Sequence, residues 1–227
     1  MRGIAVIGGG SFNNSSLPKV SVKPVPVIAG ARYDWAADNT RLGATQDWWE
    51  QRQGGRLTST HESGRWPTSM QATNRYLAFD GINDMLEGMV DLTGEKTLVV
   101  IGRFPEPANN QFMVTSGAGG GAHNLYINAS GTYAFNNGSS ITSTKTADNY
   151  WHCFIIVTKG NGSVLHIDGQ EWTANLPASA ASMLRLGATS SEFFKSDISR
   201  VAVLPYAADA YERASIRAIM KAHYSLF

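Results

Sequence analysis

Short segments in which apolar and polar residues alternate recur along most of this chain, and this period of two predicts β-strands. In the stretch SVLHIDG, Leu165 and Ile167 share one face of an extended strand, and the residues between them share the other. The Asp168-Gly169 pair that follows favours a tight hairpin turn. The same reasoning predicts a hairpin over residues 151–167 and strands at residues 20–28, 76–79, 97–103, 111–116, 124–127, 132–136, 151–158, 163–167, 183–186 and 198–204.

The end of the chain follows a helical period instead. Asp209 and Glu212 form a capping pattern for a helix N-terminus. The residues of one helical face follow them at Ile216, Ile219, Met220 and His223. We predict one short C-terminal amphipathic helix, whose apolar face packs against the rest of the domain.

Residues 36–75 show neither period. The segment is polar and carries Trp48, Trp49 and Trp66. Long irregular segments are uncommon in compact domains, and they are either functional or held in place by their own aromatic side chains. We predict a long irregular loop that Trp48 anchors, and the roles of Trp49 and Trp66 stay open.

Many short strands between turn-forming residues indicate an all-β sandwich, and 227 residues are enough for one such domain with a sizeable core. The 19 basic and 18 acidic residues are spread along the chain and give a formal net charge of +1. We therefore expect no nucleic-acid partner. The sequence has no apolar run of about 20 residues, so we expect no membrane insertion.

Two features that often indicate chemistry do not do so here. Cys153 is the only cysteine, which excludes an intrachain disulfide, and its place in the apolar run WHCFIIV predicts a buried thiol. The N-terminal stretch RGIAVIGGGSFNNS begins like a dinucleotide-binding loop, but Asn13 stands where the third glycine is needed. Prolines at positions 18, 24 and 26 oppose the helix that would bind a pyrophosphate, so we expect no nucleotide.

Five phrases in the chain point to a family. They are YLAFDGINDML (76–86), TLVVIGRF (97–104), YWHCFIIVTKGNGSVLHIDGQEW (150–172), LRLGAT (184–189) and SDISRVAVLPYAADAYERASI (196–216). In this order they resemble the laminin G-like, concanavalin A-like jelly-roll domains. Ser196-Asp197 and Ala207-Ala208 depart from the family pattern, which usually has a glycine-containing turn and a leucine at these places.

The resemblance implies an all-β, jelly-roll β-sandwich with one short C-terminal helix. The first residues lie outside the family pattern, so we predict an extended arm at residues 1–30 and the laminin G-like domain at residues 31–227. Sandwiches of this kind resemble structural proteins of tailed bacteriophages. The main hypothesis is a non-enzymatic virion protein, a head-decoration, collar or tail-fibre component that is made in the host cytoplasm and located in the virion.

The expected partners follow from this hypothesis. They are other virion proteins and further copies of the chain, with the arm adding a strand to a neighbour's sheet edge. A host-surface glycan is a further candidate ligand. The alternative hypothesis is a carbohydrate-binding lectin module of a bacterial protein.

A third hypothesis, a glycosidase, has less support. Glucanases of the same fold carry paired carboxylates in an E-x-D-x-(x)-E pattern, and the sequence contains no Glu-x-Asp. Its five histidines lie in unrelated segments, and none stands beside a Gly-x-Ser-x-Gly motif. We therefore expect no enzymatic activity.

Two candidate sites remain. Sugar binding needs an exposed aromatic ring beside polar side chains, which the tryptophan-rich segment and the loop GAGGGAHNLYIN supply. The candidate residues are Trp48, Trp49, Trp66, His123, Asn124 and Tyr126. We expect no organic cofactor, and calcium is the candidate metal, because laminin G-like domains often hold it through carboxylate and carbonyl oxygens. Its candidate ligands are Asp80, Asn83 and Asp84, which also form turns readily.

Overall fold

The structure is a computed structural model that describes residues 25–39, 42–49, 56–59, 66–116, 122–177, 181–189 and 191–225. Its strands are β1 (Tyr33–Ala36), β2 (Gly43–Ala44), β3 (Asp47–Trp49), β4 (Arg56–Thr58), β5 (Thr68–Gln71), β6 (Arg75–Asp80), β7 (Leu86–Met89), β8 (Lys96–Arg103), β9 (Gln111–Ser116), β10 (Ala122–Ile127), β11 (Thr132–Asn136), β12 (Ser140–Thr146), β13 (His152–Thr158), β14 (Ser163–Ile167), β15 (Gln170–Ala174), β16 (Met183–Leu186) and β17 (Lys195–Leu204). A short 3-10 turn spans Ala37–Asn39, and the helix α1 spans Ala210–Tyr224.

Within these residues the strands form two antiparallel sheets. The first sheet has nine described strands in the order β15-β14-β13-β8-β17-β6-β5-β2, and β1 pairs with β17 beside this path. The second sheet has eight described strands in the order β12-β11-β10-β9-β16-β7-β4-β3. The predicted all-β jelly-roll sandwich with one C-terminal helix is confirmed.

The central hairpin predicted from the alternating pattern is also confirmed. β13 pairs with β14 in a register that places Phe154 opposite Ile167 and Val157 opposite Val164. Asp168 and Gly169 connect β14 to β15 with φ values of 55° and 111°. A two-residue type I′ turn needs positive φ at both positions, which Asp and Gly tolerate better than most residues.

The main core lies between the two sheets. Alternate residues of β8 and β13, such as Val100 and Phe154, point inward and meet Leu125, Phe135 and Leu186 of the second sheet. Apolar side chains removed from water in this layer supply most of the favourable free energy of folding.

A second apolar cluster lies on the outer face of the first sheet. Val99 and Ile155 contribute to it from the strands, and Ile216 and Met220 of α1 cover them. β8 and β13 are therefore buried on both faces, which explains their continuous apolar runs. Cys153 belongs to this cluster, as predicted, and burial raises the pKa of its thiol.

Helix α1 begins at a capping box. The Asp209 Oδ1 atom accepts the amide of Glu212 at 2.8 Å, and the Glu212 Oε2 atom accepts the amide of Asp209 at 2.9 Å. Ile216, Met220 and His223 are buried as predicted, but Ile219 is 38% exposed and lies beside the packed face. No helix in the described part of the chain is long and apolar enough to cross a membrane.

Two predictions about local structure are wrong. Residues 25–28 form no strand, and the rest of the strand predicted at 20–28 lies outside the described residues. Residues 36–75 are not one irregular loop, because β2 and β5 belong to the first sheet and β3 and β4 to the second. These strands have between two and four residues each, too few for a period of two to be visible in the sequence.

The boundary predicted between residues 30 and 31 stays a prediction, and residues 1–24 of the predicted arm lie outside the described residues. The end of that arm lies against the sandwich. Ile28 is buried in the second apolar cluster, and the Pro26 carbonyl accepts a hydrogen bond from Arg200 Nη2 at 2.6 Å.

Candidate functional site

The outer face of the second sheet is the candidate site. Helix α1 lies on the first sheet, and no described helix lies on the outer face of the second. Inward residues of its strands, including Trp48, Leu57, Leu86 and Leu184, belong to the main core. Since side chains alternate along a strand, their neighbours point outward.

One set of outward residues forms a continuous row across five strands, which we name the polar row: Asp47, Thr58, Glu87, Arg185 and Thr115. Each is the direct cross-strand partner of the next. Directly opposed residues of antiparallel strands project from the same face of a sheet, so these side chains lie side by side. At about 4.8 Å between strands, the row is about 19 Å long.

Arg185 is the fourth of the five side chains in the polar row, next to the Thr115 end. Its Nε and Nη2 atoms donate to Glu87 Oε2 at 2.9 and 2.7 Å. The third nitrogen, Nη1, is buried and has no hydrogen-bond partner among the described residues. The same holds for Asp47 Oδ1, at the other end of the row. Buried polar atoms are normally hydrogen-bonded, so this row offers one donor and one acceptor that a polar ligand or water would satisfy.

An exposed aromatic and apolar row lies beside the polar row. Trp49 is 56% exposed and pairs across the strands with Arg56, whose guanidinium carbon lies 5.5 Å from the centre of the indole ring. Met89 is also exposed and pairs with Met183. The site therefore combines a flat ring with hydrogen-bonding groups, which is the combination that pyranose rings require.

Two other predicted sugar-binding residues lie on the same face, further along the sheet. Asn124 is buried and pairs with Asn136, and Tyr126 is half-exposed and stacks on Phe112 with ring centres 5.0 Å apart. Phe194 contacts the same Phe112 ring at 5.2 Å. Trp49, Asn124 and Tyr126 thus share one sheet face, although the sequence places them far apart.

The remaining predicted sugar-binding residues lie elsewhere. Trp48 points into the main core and has no exposed surface, which agrees with an anchoring role. His123 is buried edge-on against the core residue Phe135, and burial lowers its pKa to about 4. Trp66 is half-buried just before β5, which belongs to the first sheet.

The calcium candidates lie in the loop between β6 and β7. Asp80 Oδ1 accepts the amides of Ile82 and Asn83, and Asp84 Oδ2 accepts the amide of Asp80. These bonds build the turn, and burial raises the pKa of Asp84 to about 6. Among the described residues no group of three or more His, Cys, Asp or Glu side chains has a metal-binding arrangement. The calcium site, with the side-chain oxygens of Asp80, Asn83 and Asp84 as its ligands, stays a prediction.

Sequence reasoning missed the polar row, because cross-strand register decides which distant residues meet. A signal for one member was present. In the stretch MLRL, Leu184 and Leu186 point inward, so the Arg185 between them must point outward on a strand that is otherwise apolar.

Comparisons with known proteins identify the fold. Neither a protein-family profile nor a curated protein sequence matches the chain. Trypanosoma rangeli sialidase aligns with it at a TM-score of 0.67 and 12% identity, over 88% of this chain and 34% of the sialidase. The binding domain of botulinum neurotoxin serotype G aligns at a TM-score of 0.65 and 11% identity, over 84% of this chain and 51% of that domain. A third structure is the binding domain of botulinum neurotoxin DC in complex with SialylT. It aligns at a TM-score of 0.58 and 9% identity, over 80% of this chain and 52% of that domain.

These likenesses define the class of protein: a jelly-roll-type β-sandwich whose fold also occurs within larger proteins. The chain spans about a third of the sialidase and about half of each neurotoxin binding domain. At 9 to 13% identity the likeness concerns the fold alone. Membership in the laminin G-like family stays a prediction.

Proposed function

We propose that this chain is a non-enzymatic carbohydrate-binding module that binds an oligosaccharide across the outer face of its second sheet. The observation that carries the proposal is Arg185, a nearly buried guanidinium in the polar row whose Nη1 has no partner among the described residues. A hydroxyl of one sugar unit would accept this hydrogen bond while the ring of another unit of the oligosaccharide lay on Trp49, three strands away. This fold also occurs within a Trypanosoma rangeli sialidase solved in complex with sialic acid and within the neurotoxin DC binding domain in complex with SialylT, which supports the choice of ligand class.

The charge pattern of the site favours binding over hydrolysis. Glu87 pairs with Arg185 at 2.7 Å, and Asp47 lies 3.6 Å from Arg56. A glycosidase of the common type needs one carboxyl group held in its protonated form as the general acid. Both carboxylates of the polar row are instead engaged in ion pairs with arginines.

The virion role stays a prediction, as do the virion location, the virion protein partners and the homo-oligomer. Glycan binding agrees with the lectin hypothesis directly. It also agrees with a tail-fibre component that binds a host-surface glycan, so the two hypotheses share this site.

The experiment is a panel of immobilised neutral and sialylated oligosaccharides probed with the full chain, followed by calorimetric titration of the oligosaccharide that is retained best. We expect Trp49→Ala and Arg185→Gln each to weaken binding about tenfold, since each removes a stacking surface or a charge-assisted hydrogen bond. Tyr211→Ala is the matched control, because Tyr211 is 80% exposed on α1, away from the second sheet.

Two outcomes would contradict the proposal. One is that no oligosaccharide of the panel is retained, and the other is that both variants bind like the unmodified chain. Release of reducing sugar from the bound oligosaccharide would instead favour the glycosidase hypothesis. Circular dichroism of each variant shows whether the fold is intact.

A further inference from the structure

A second cleft lies at the C-terminal end of α1, next to the first sheet. It has a volume of about 280 Å³ and is lined by residues 72–74, Tyr76, Arg103, Trp151, Tyr224 and Ser225. It contains none of the polar-row residues. The side chain that distinguishes it is Arg103, the one charged group among these lining residues.

Arg103 is held in one position from three sides. Its Nε donates to Asp197 Oδ2 at 2.7 Å, and the Asp197 side chain is almost fully buried. Its guanidinium carbon lies 5.1 Å from the ring centre of Trp151 and 5.7 Å from that of Tyr76. These two rings meet edge-on at 5.4 Å. A guanidinium held in this way loses little further freedom when it binds a ligand.

The two terminal nitrogens of Arg103 remain available. Nη1 and Nη2 make no hydrogen bond to any described residue, and the side chain is partly exposed towards the cleft. Asp197 engages the guanidinium at Nε alone, and Arg103 lines the cleft. Two parallel N–H groups of an arginine match the geometry of a carboxylate, which accepts both at once.

We propose that this cleft binds the carboxylate of a small ring-bearing ligand, with the carboxylate on Arg103 Nη1 and Nη2 and the ring against Trp151. Thr73, Asn74 and Ser225 also line the cleft and offer polar groups to the ring substituents. Tyr150, which is largely exposed, lines an adjoining cleft that shares Trp151 and Ser225. The carboxylate belongs either to an acidic sugar or to an aromatic acid, and the test distinguishes these sources.

The test uses three probes on the full, ¹⁵N-labelled chain: D-glucuronate, D-glucose and benzoate. Glucuronate and glucose share a ring and differ in the carboxylate. We expect glucuronate to shift the Arg103 Nε–H and Trp151 indole signals and to bind about tenfold or more tighter than glucose, because a charge-assisted hydrogen bond is gained. Binding of benzoate as well as glucuronate assigns the cleft to carboxylates in general, whereas glucuronate alone assigns it to acidic sugars.

Arg103→Lys is the informative variant, since it keeps a cation beside Asp197 and removes the paired donors. We expect it to abolish the preference for glucuronate over glucose. The matched control is Arg32→Lys, because Arg32 also combines an aspartate, Asp91 at 2.9 Å, with a ring, Tyr33 at 5.5 Å, outside the cleft.

The proposal is wrong if glucuronate and benzoate bind no tighter than glucose, or if Arg103→Lys keeps the preference. The titration of the unmodified chain decides the matter even where a variant folds poorly. The test is independent of the polar row, since Trp49→Ala leaves this cleft intact and Arg103→Lys leaves the polar row intact.

Discussion

Arg200 is an arginine with no exposed side-chain surface, and its partners come from three parts of the chain. Its Nε and Nη2 atoms donate to the two carboxylate oxygens of Asp34 at 2.8 and 2.6 Å, and Nη2 also donates to the Pro26 carbonyl. Nη1 lies 3.9 Å from the sulfur of Met220 in α1. The ion pair therefore joins β1 and β17 to the segment before β1 and to the C-terminal helix.

Removing the carboxylate should destabilise the protein strongly. Asp34→Ala leaves the Arg200 charge buried without its partner, and breaking a buried pair in this way costs about 3–5 kcal/mol of the free energy of unfolding. Urea denaturation followed by circular dichroism measures this loss. Asp91→Ala, which breaks the exposed pair with Arg32, is the matched control and should have little effect. An equal loss of unfolding free energy in Asp34→Ala and Asp91→Ala would show that the buried pair contributes no more to stability than an exposed one.

Asp84 gives the fold a dependence on pH. Burial raises its pKa from the model-compound value of 3.8 to about 6 in the folded protein. The folded state therefore holds this proton more tightly than the unfolded state, and its stability falls as pH rises from about 4 to about 6. Asp84→Asn keeps an oxygen that can accept the amide of Asp80 and removes the charge. We expect its unfolding midpoint in urea to be higher than that of the unmodified chain at pH 8 and to vary less between pH 4 and 7.

Two controls sharpen this test. Hydrogen bonds from Thr93 lower the pKa of Asp91, so Asp91→Asn should change the pH dependence in the opposite sense, with stability lost above pH 4. A calcium ion on Asp80, Asn83 and Asp84 would hold Asp84 ionised, so calcium chloride should remove the slope if the predicted site exists. If stability still falls with rising pH in the Asp84→Asn variant, and also in the unmodified chain with calcium chloride, groups other than Asp84 cause the slope.

At the scale of elements, the sequence predicted best what depends on neighbouring residues. β9, β11, β14 and β16 begin and end where the alternating pattern predicts, because each is long enough or apolar enough to show its period. The capping box of α1 could also be predicted from the sequence, since Asp209 and Glu212 are only three residues apart. The short strands β2 to β5 were not readable, because their stability comes from partners in the sheets rather than from local pattern.

The candidate site shows the same limit. Trp49 was a candidate because it lies in a tryptophan-rich polar segment, and Asn124 and Tyr126 because they follow a glycine-rich loop; all three stay predicted sugar-binding residues. The pairing of Asp47 with Thr58, and of Thr58 with Glu87, depends on a register between strands that are distant in sequence. Trp48 and His123 were assigned to the same site as their neighbours Trp49 and Asn124. Neighbouring residues on a strand face opposite sides of the sheet, so the strand register decides which of the two points outward.

At the scale of the whole molecule, the two sheets use their outer faces differently. The first is covered by α1 and by the segment around Ile28, and the strands beneath are apolar at nearly every position. The second carries charged and aromatic residues outward, and those are the residues of the proposed glycan site. Continuous apolar runs such as TLVVI and CFIIV are typical of strands buried on both faces, whereas the asymmetry between the sheets is visible only once the helix is placed.

The predicted N-terminal arm leads to a test of assembly. Since Ile28 is buried and Pro26 bonds Arg200, a truncation should remove residues 1–24 and keep the segment from residue 25 onward. The ends of the two sheets include β12 and β15, edge strands to which an added strand could pair.

If the arm joins copies in this way, light scattering should give a defined oligomer for the full chain and a monomer for the truncated chain, with the same thermal midpoint for the sandwich in both. Monomers in both cases would contradict arm-mediated assembly and leave glycan binding unaffected. Oligomers in both cases would place the interface on the sandwich, and the glycan panel repeated with each form would then show whether assembly raises the apparent affinity through several linked sites.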